Sequence, residues 1–128
     1  MNRIALIAPL ALVACAPEPV DVARDFYVHQ CASCHGGDGR GNGPLASMLS
    51  RQPSDLTTIA RRNGSFDRNA VMSTIDGYYR RDDPRHPMPE FGATIEGNLV
   101  MVENPDGTVT PTPEVLVGLA DLLERMQR

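Results

Sequence analysis

The sequence predicts an all-α domain of several short helices, with one small β-hairpin set before the last helix. Three observations predict it. Apolar residues recur at helical spacing in separate segments along the chain. Eleven glycines and eleven prolines punctuate those segments, so no helix can run long. Strand-forming residues gather in one place only, "NLVMVENPDGTVTP", around the turn signal "NPDG".

The first fourteen residues stand apart from that domain. "MNRIALIAPLALVAC" carries one early positive charge, Arg3, then an apolar run from Ile4 to Ala14 with small residues before Cys15. That layout is expected of a secretory signal, residues 1–14. The run is shorter than the roughly 20 residues that span a bilayer. Its rival, a buried N-terminal helix, is interrupted by Pro9 and has no polar face. "APEPVD" follows as a short Pro-rich segment, so residues 15–20 are read as a tether. The folded domain is expected over 21–128.

Within it, Val22, Ala23, Phe26, Tyr27 and Gln30 share one helical face. "GGDGRGNGP" then forbids regular structure, and Leu45 to Leu49 offers one or two helical turns. "PSDLTTIARRNG" reads as a short helix with Ser54 as N-cap and Asn63-Gly64 as its stop. "SFDRNAVMSTIDG" reads as another, capped by Ser65, with Asp67 in its first turn and Val71, Met72 and Ile75 facing inward. Strands are expected at Leu99–Glu103 and Thr108–Thr110. Thr112 is expected to cap the last helix with Pro113 at its first position. Leu116, Leu119, Leu122, Leu123 and Met126 form that helix's apolar stripe.

Charge excludes one class of partner. Beyond residue 14 the chain has eleven Arg, no Lys and sixteen Asp plus Glu. With no basic stripe, no Trp and few aromatics, nothing suggests nucleic acid. Three Phe and three Tyr make a thin aromatic core, which a bound hydrophobic cofactor would fill.

The motif that carries chemistry is "CASCH", Cys31 to His35. Two thiols with two residues between them can bond the two vinyl groups of a haem, and the next histidine then lies under the iron. C-x-x-C-H is the signature of covalent haem c attachment. A thioredoxin-like pair would want a βαβ context, which the flanking pattern lacks. A structural zinc site needs four ligands, and there is no second Cys pair. A plain disulfide would leave His35 unexplained.

A haem iron held by one imidazole has a second axial position. "RHPMPEFG" sets Met88 between Pro87 and Pro89, which deny it a helix. Thioether favours Fe(II), and such a ligand needs stiff backbone. Met88 is therefore the expected iron ligand, with His86 as its competitor and an open position as the third reading. Met72 and Met126 read as core, Met101 as a strand residue and His29 as surface.

With these motifs the chain resembles a class I c-type cytochrome. "ARDFYVHQCASCHGGDGRGNGPL" resembles that family's opening, and "PSDLTTIARRNGSF", "VMSTIDG" and "MPEFG" resemble later segments. The resemblance implies the cytochrome c fold, short helices wrapped around one covalently bound haem. It implies that Pro44 presents its carbonyl to the His35 N–H, the rival being a plain loop-closing proline. Arg61 and Arg62 are read either as partners of the haem propionates or as solvated helix ends. Phe66, Tyr78 and Phe91 read as haem-packing or core aromatics. Where the family packs a glycine of the first helix on an aromatic of the last, this chain has Ala23 and Leu122, a compensating exchange. The hairpin is an addition that the smallest members lack.

"LVAC" resembles the bacterial lipobox, which makes Cys15 a lipid anchor and leaves Cys31 and Cys34 as a pair. The rival is a free thiol at Cys15. Together these imply a membrane-anchored, exported monohaem carrier of single electrons between redox proteins, monomeric or a subunit of a complex, without a small-molecule substrate. The alternatives are the haem subunit of a periplasmic oxidoreductase complex and a gas-binding haem sensor.

Overall fold

The computed structural model describes residues 19–78 and 87–128. The expected signal at 1–14, Cys15 and His86 lie outside them. A helical run opens the described chain in three parts: α1 (Pro19–Phe26), one wide π-helical turn (Tyr27–Cys31) and α2 (Ala32–His35). Helix α1 starts at Pro19, inside the stretch read as tether, where a missing N–H is no loss. The π turn is closed by the Ala32 N–H bonding to Tyr27 O. Such wide turns are frequent at functional sites, and this one delivers the chain directly into the Cys/His motif.

After a loop and a 3₁₀ turn at Ala46–Met48 come a second 3₁₀ turn, Leu56–Thr58, and α3 (Ile59–Asn63). The N-cap is Asp55, whose carboxylate accepts from Thr57 N at 2.9 Å, and not Ser54. Helix α4 (Arg68–Asp76) is likewise capped by Asp67, accepting from Ala70 N at 3.0 Å, and not by Ser65. In both cases the aspartate holds extended backbone beside the first free N–H groups, the geometry a cap requires. Val71, Met72 and Ile75 are buried as their spacing predicts.

Strands β1 (Leu99–Glu103) and β2 (Val109–Pro113) pair antiparallel, Leu99 opposite Pro113 and Glu103 opposite Val109. β2 runs three residues past its expected end. Thr112 therefore stays in the strand, its hydroxyl on Thr110 O, and caps nothing. Pro113 instead holds the N-cap place of α5 (Glu114–Arg125), and the Glu114 N–H bonds to Asn98 O at 2.9 Å.

The core forms where α1 and α4 pack on α5. Ala23 and Ala120 are wholly buried and Leu122 is 5% exposed, so α5 buries the stripe its spacing assigns at Leu116, Leu119, Leu122 and Leu123. On the first helical run Ala23 and Tyr27 are buried, whereas Val22 and Gln30, expected on the same face, are exposed. Arg68 bridges α4 to α5 through ion pairs with Asp121 and Glu124. Phe91 packs edge-on against Phe26, ring centres 5.8 Å apart. Phe66 is half-buried against the core, whereas Tyr78 is 63% exposed, correcting its reading as a core aromatic. Tyr78 follows the α4 cap Gly77 and lies where helix and hairpin flank an open groove. Among the described residues no helix is long and apolar enough to cross a bilayer.

Candidate covalent haem site

The loop after α2 folds back onto it. Gly41 N, Gly43 N and Leu45 N donate to the carbonyls of His35, Cys34 and Ser33 at 2.7, 3.1 and 2.9 Å. These are the carbonyls that a helix end leaves without partners, so the glycine-rich loop completes the helix that carries the motif. Gly43 approaches so closely that a Cβ there would meet the carbonyl oxygens of Ala32 and Ser33. Gly36, at φ +80°, ends the helix directly after His35.

Cys31 and Cys34 are free thiols, both half-buried, and form no disulfide. Burial, with Cys34 beside it, pushes the Cys31 thiol up to about 11. Both cysteines and His35 line an open cleft of about 730 Å³ with Leu49, Pro53, Pro87, Met88, Pro89 and Phe91. A second cleft of about 960 Å³ shares Cys31, His35, Ser54 and Met88 and continues past Leu56, Ile59, Val71, Ile75, Leu119 and Leu123.

His35 Nδ1 lies 3.0 Å from the carbonyl oxygen of Ser54. A carbonyl can only accept, so Nδ1 carries the proton and Nε2 keeps its lone pair. Burial lowers the imidazole below its ordinary pKa, the Ser54 bond opposing that shift, which favours the neutral ring. A donated N–H on one side and a free lone pair on the other is the arrangement of a metal-bound histidine. The expected partner, the Pro44 carbonyl, is not the acceptor here. The 41–45 segment is laced to the main chain of 33–35, and the ring's N–H turns to Ser54 instead.

Met88 is half-buried and lines both clefts. It stands three residues before Phe91, whose N–H bonds to Ile75 O at the end of α4 (3.1 Å), so its loop is moored to a helix. Of the two expected arginines, Arg62 reaches the second cleft while binding Asp55 O and the Thr58 hydroxyl. Arg61 is exposed and lines neither cleft. Arg51 and Gln52, which the sequence reading passed over, line the first cleft. Their one signal is their place directly before "PSD", at the end of the glycine-rich loop. Met72 is core, and His29 is an exposed partner of Asp25 at 3.5 Å.

The residues present fit a covalently bound haem. Two unpaired thiols, an imidazole with a free nitrogen and a thioether line one cleft whose walls are largely apolar. Among the described residues, no group of three or more His, Cys, Asp or Glu gathers to hold a free metal ion. A small helical domain closing an apolar cleft over C-x-x-C-H is the build of a c-type haem protein. Residues 21–98 match the family model for cytochrome c, and the chain belongs to the cytochrome c family. No curated protein matches it. The family binds haem c covalently and uses it for electron transfer.

Proposed function

We propose that the chain is an exported, lipid-anchored carrier of single electrons that holds one haem c through Cys31 and Cys34, with His35 and Met88 on the iron. When bound, the haem supplies a one-electron Fe(III)/Fe(II) couple. One observation carries the reading: Cys31, His35 and Met88 line both clefts, and Cys34 joins them in the first.

The remaining work falls to the chain. Ser54 sets the His35 ring and makes it a better donor. Pro87 and Pro89 hold Met88 on a stiffened loop, and its thioether on the iron would raise the reduction potential relative to two nitrogen ligands. Leu56, Ile59, Val71, Ile75, Leu119 and Leu123 keep water from one wall. Arg51 and Arg62 are the guanidinium groups placed to meet propionates. With His35 and Met88 both holding the iron, no place would remain there for a substrate, which is the ground for proposing a carrier and not an enzyme.

Cys15 supplies the anchor, on the periplasmic side of a bacterial membrane. Donor and acceptor are redox proteins met in brief encounters over small interfaces. The acidic surface favours a basic patch on the partner, so association slows as salt rises.

The test is spectroscopic. Holoprotein should carry the mass of one porphyrin through thioether links and show a sulfur-to-iron absorption band that Met88→Ala abolishes. A band that survives in Met88→Ala removes Met88 from the iron. A purified protein without the porphyrin mass ends the whole reading.

A further inference from the structure

The hairpin is built with its larger apolar side chains outward. An antiparallel sheet packed on one side normally alternates apolar inside and polar outside. Here the inward face pairs Val100 with Thr112 and Val102 with Thr110, and Val102 packs against the core. The outward face pairs Leu99 with Pro113, Met101 with Pro111 and Glu103 with Val109. Leu99, Met101 and Val109 are 62%, 66% and 52% exposed. A contiguous apolar face of this kind marks an interaction surface.

The chain says what covers it. Three residues separate Cys15 from Pro19, where α1 begins, so four steps along the chain reach at most about 14 Å. An acylated Cys15 therefore keeps the start of α1 beside the lipid headgroups. Val22, in the first turns of α1, lines one groove with Ile95 and with Val115 of α5. Two residues before Val115 stands Pro113, paired with Leu99. The base of the hairpin thus lies at the same end of the domain as the tether. The side chains it presents are aliphatic, and the exposed acids around them are Glu96, Glu103 and Asp106. With these acids beside it, this face suits a zwitterionic lipid surface and is repelled by an anionic one.

We infer that the outward face of the hairpin, Leu99, Met101, Val109 and Pro111, rests on the bilayer surface and fixes the orientation of the anchored domain. The inference rests on the acylation of Cys15. Once Cys31 and Cys34 are bonded to haem and Cys15 to lipid, Met101→Cys provides the single free thiol for a nitroxide label. Ser65→Cys, exposed between α3 and α4, provides a comparison site. The full-length acylated holoprotein is reconstituted in phosphatidylethanolamine/phosphatidylcholine vesicles, floated, and its label exposed to oxygen and to a water-soluble nickel chelate. The expected result is a severalfold higher oxygen-to-nickel collision ratio at position 101 than at 65, falling when anionic lipid is added. Equal ratios in floating protein overturn the orientation and leave the anchor standing. A label at 101 shielded from both reagents shows a protein partner instead, and likewise overturns it. Protein that does not float overturns the anchor and this inference together.

Discussion

The phenol of Tyr27 donates a 2.8 Å hydrogen bond to the carbonyl of Gly36, nine residues along and directly after the motif histidine. Both residues are buried. The bond ties the π turn to the far end of α2 and so spans the whole thiol and imidazole segment. Tyr27→Phe keeps the ring and leaves the Gly36 carbonyl with only its 3.2 Å bond from Gly39 N, a loss of about 0.5–1.5 kcal/mol. Urea unfolding of the holoprotein measures it, and an unchanged midpoint shows that the bond does not contribute. Burial, and then Cys31 and Asp38, raise the phenol to about 12. The fold therefore favours its protonated form. The tyrosine's contribution is complete below about 10, the unfolded value, and is lost as pH rises through the folded one.

Asp55 makes the opposite case. Its carboxylate accepts from Thr57 N at 2.9 Å, from the Thr57 hydroxyl at 2.6 Å and from Arg128 at 3.0 Å. Those bonds, the Thr57 hydroxyl first, lower its pKa. A lowered folded pKa gives stability that is complete above about 3.9 and drains away as pH falls through the folded value. Gln127 joins the same clamp by binding Leu56 O and accepting from Ala60 N. The clamp adjoins Ser54, which sets the His35 ring. Asp55→Asn should lower the urea midpoint at pH 7 and flatten the acid-side decline below about pH 4. Parallel curves for the two proteins would show that Asp55 is not the titrating group.

Ala23 meets α5 with no exposed surface at all. Helix α1 packs on α5, where Ala120 is likewise wholly buried and Leu122 is 5% exposed. Enlarging the alanine has nowhere to go in a packed core. Ala23→Leu should cost about 1–3 kcal/mol, read as a lower unfolding midpoint with the haem spectrum retained. Ala23→Gly should cost less, about 1 kcal/mol from helix propensity. Equal losses would place the penalty in the helix and not in the packing.

Period and punctuation made the helices and the hairpin legible, because Val71, Met72 and Ile75 or Leu116 and Leu119 can be buried in only one way. The thiols, His35 and Met88 could be singled out because few residue types can do such chemistry, and the structure sets all four on one cleft. The caps were less so. Ser54 and Ser65 are acceptable cap residues, and only the backbone angles at Asp55 and Asp67 decide against them. The partner of His35 was illegible for a related reason. A main-chain carbonyl has no side-chain identity, so Ser54 and Pro44 look alike until the loop is folded. Arg51 was hidden because a single arginine beside a proline carries no period.

Gly43 and Gly37 sit in one loop and divide the reasons for having glycine there. A Cβ at 43 would strike the carbonyl oxygens of Ala32 and Ser33, which are backbone of the motif helix and cannot swing aside. At 37 it would meet nothing within 4 Å, and no left-handed angle is recorded there. Gly43→Ala must therefore push the loop off α2 and stretch the bonds from Gly43 and Leu45 to Cys34 and Ser33. The expected cost is about 1–3 kcal/mol, the range for forcing atoms into a filled space. It should come with faster hydrogen exchange at the amides of residues 43 and 45. Gly37→Ala should be neutral or stabilising by about 0.4–1 kcal/mol, through the unfolded chain alone. If the two substitutions cost the same, crowding against the helix is not what keeps glycine at 43.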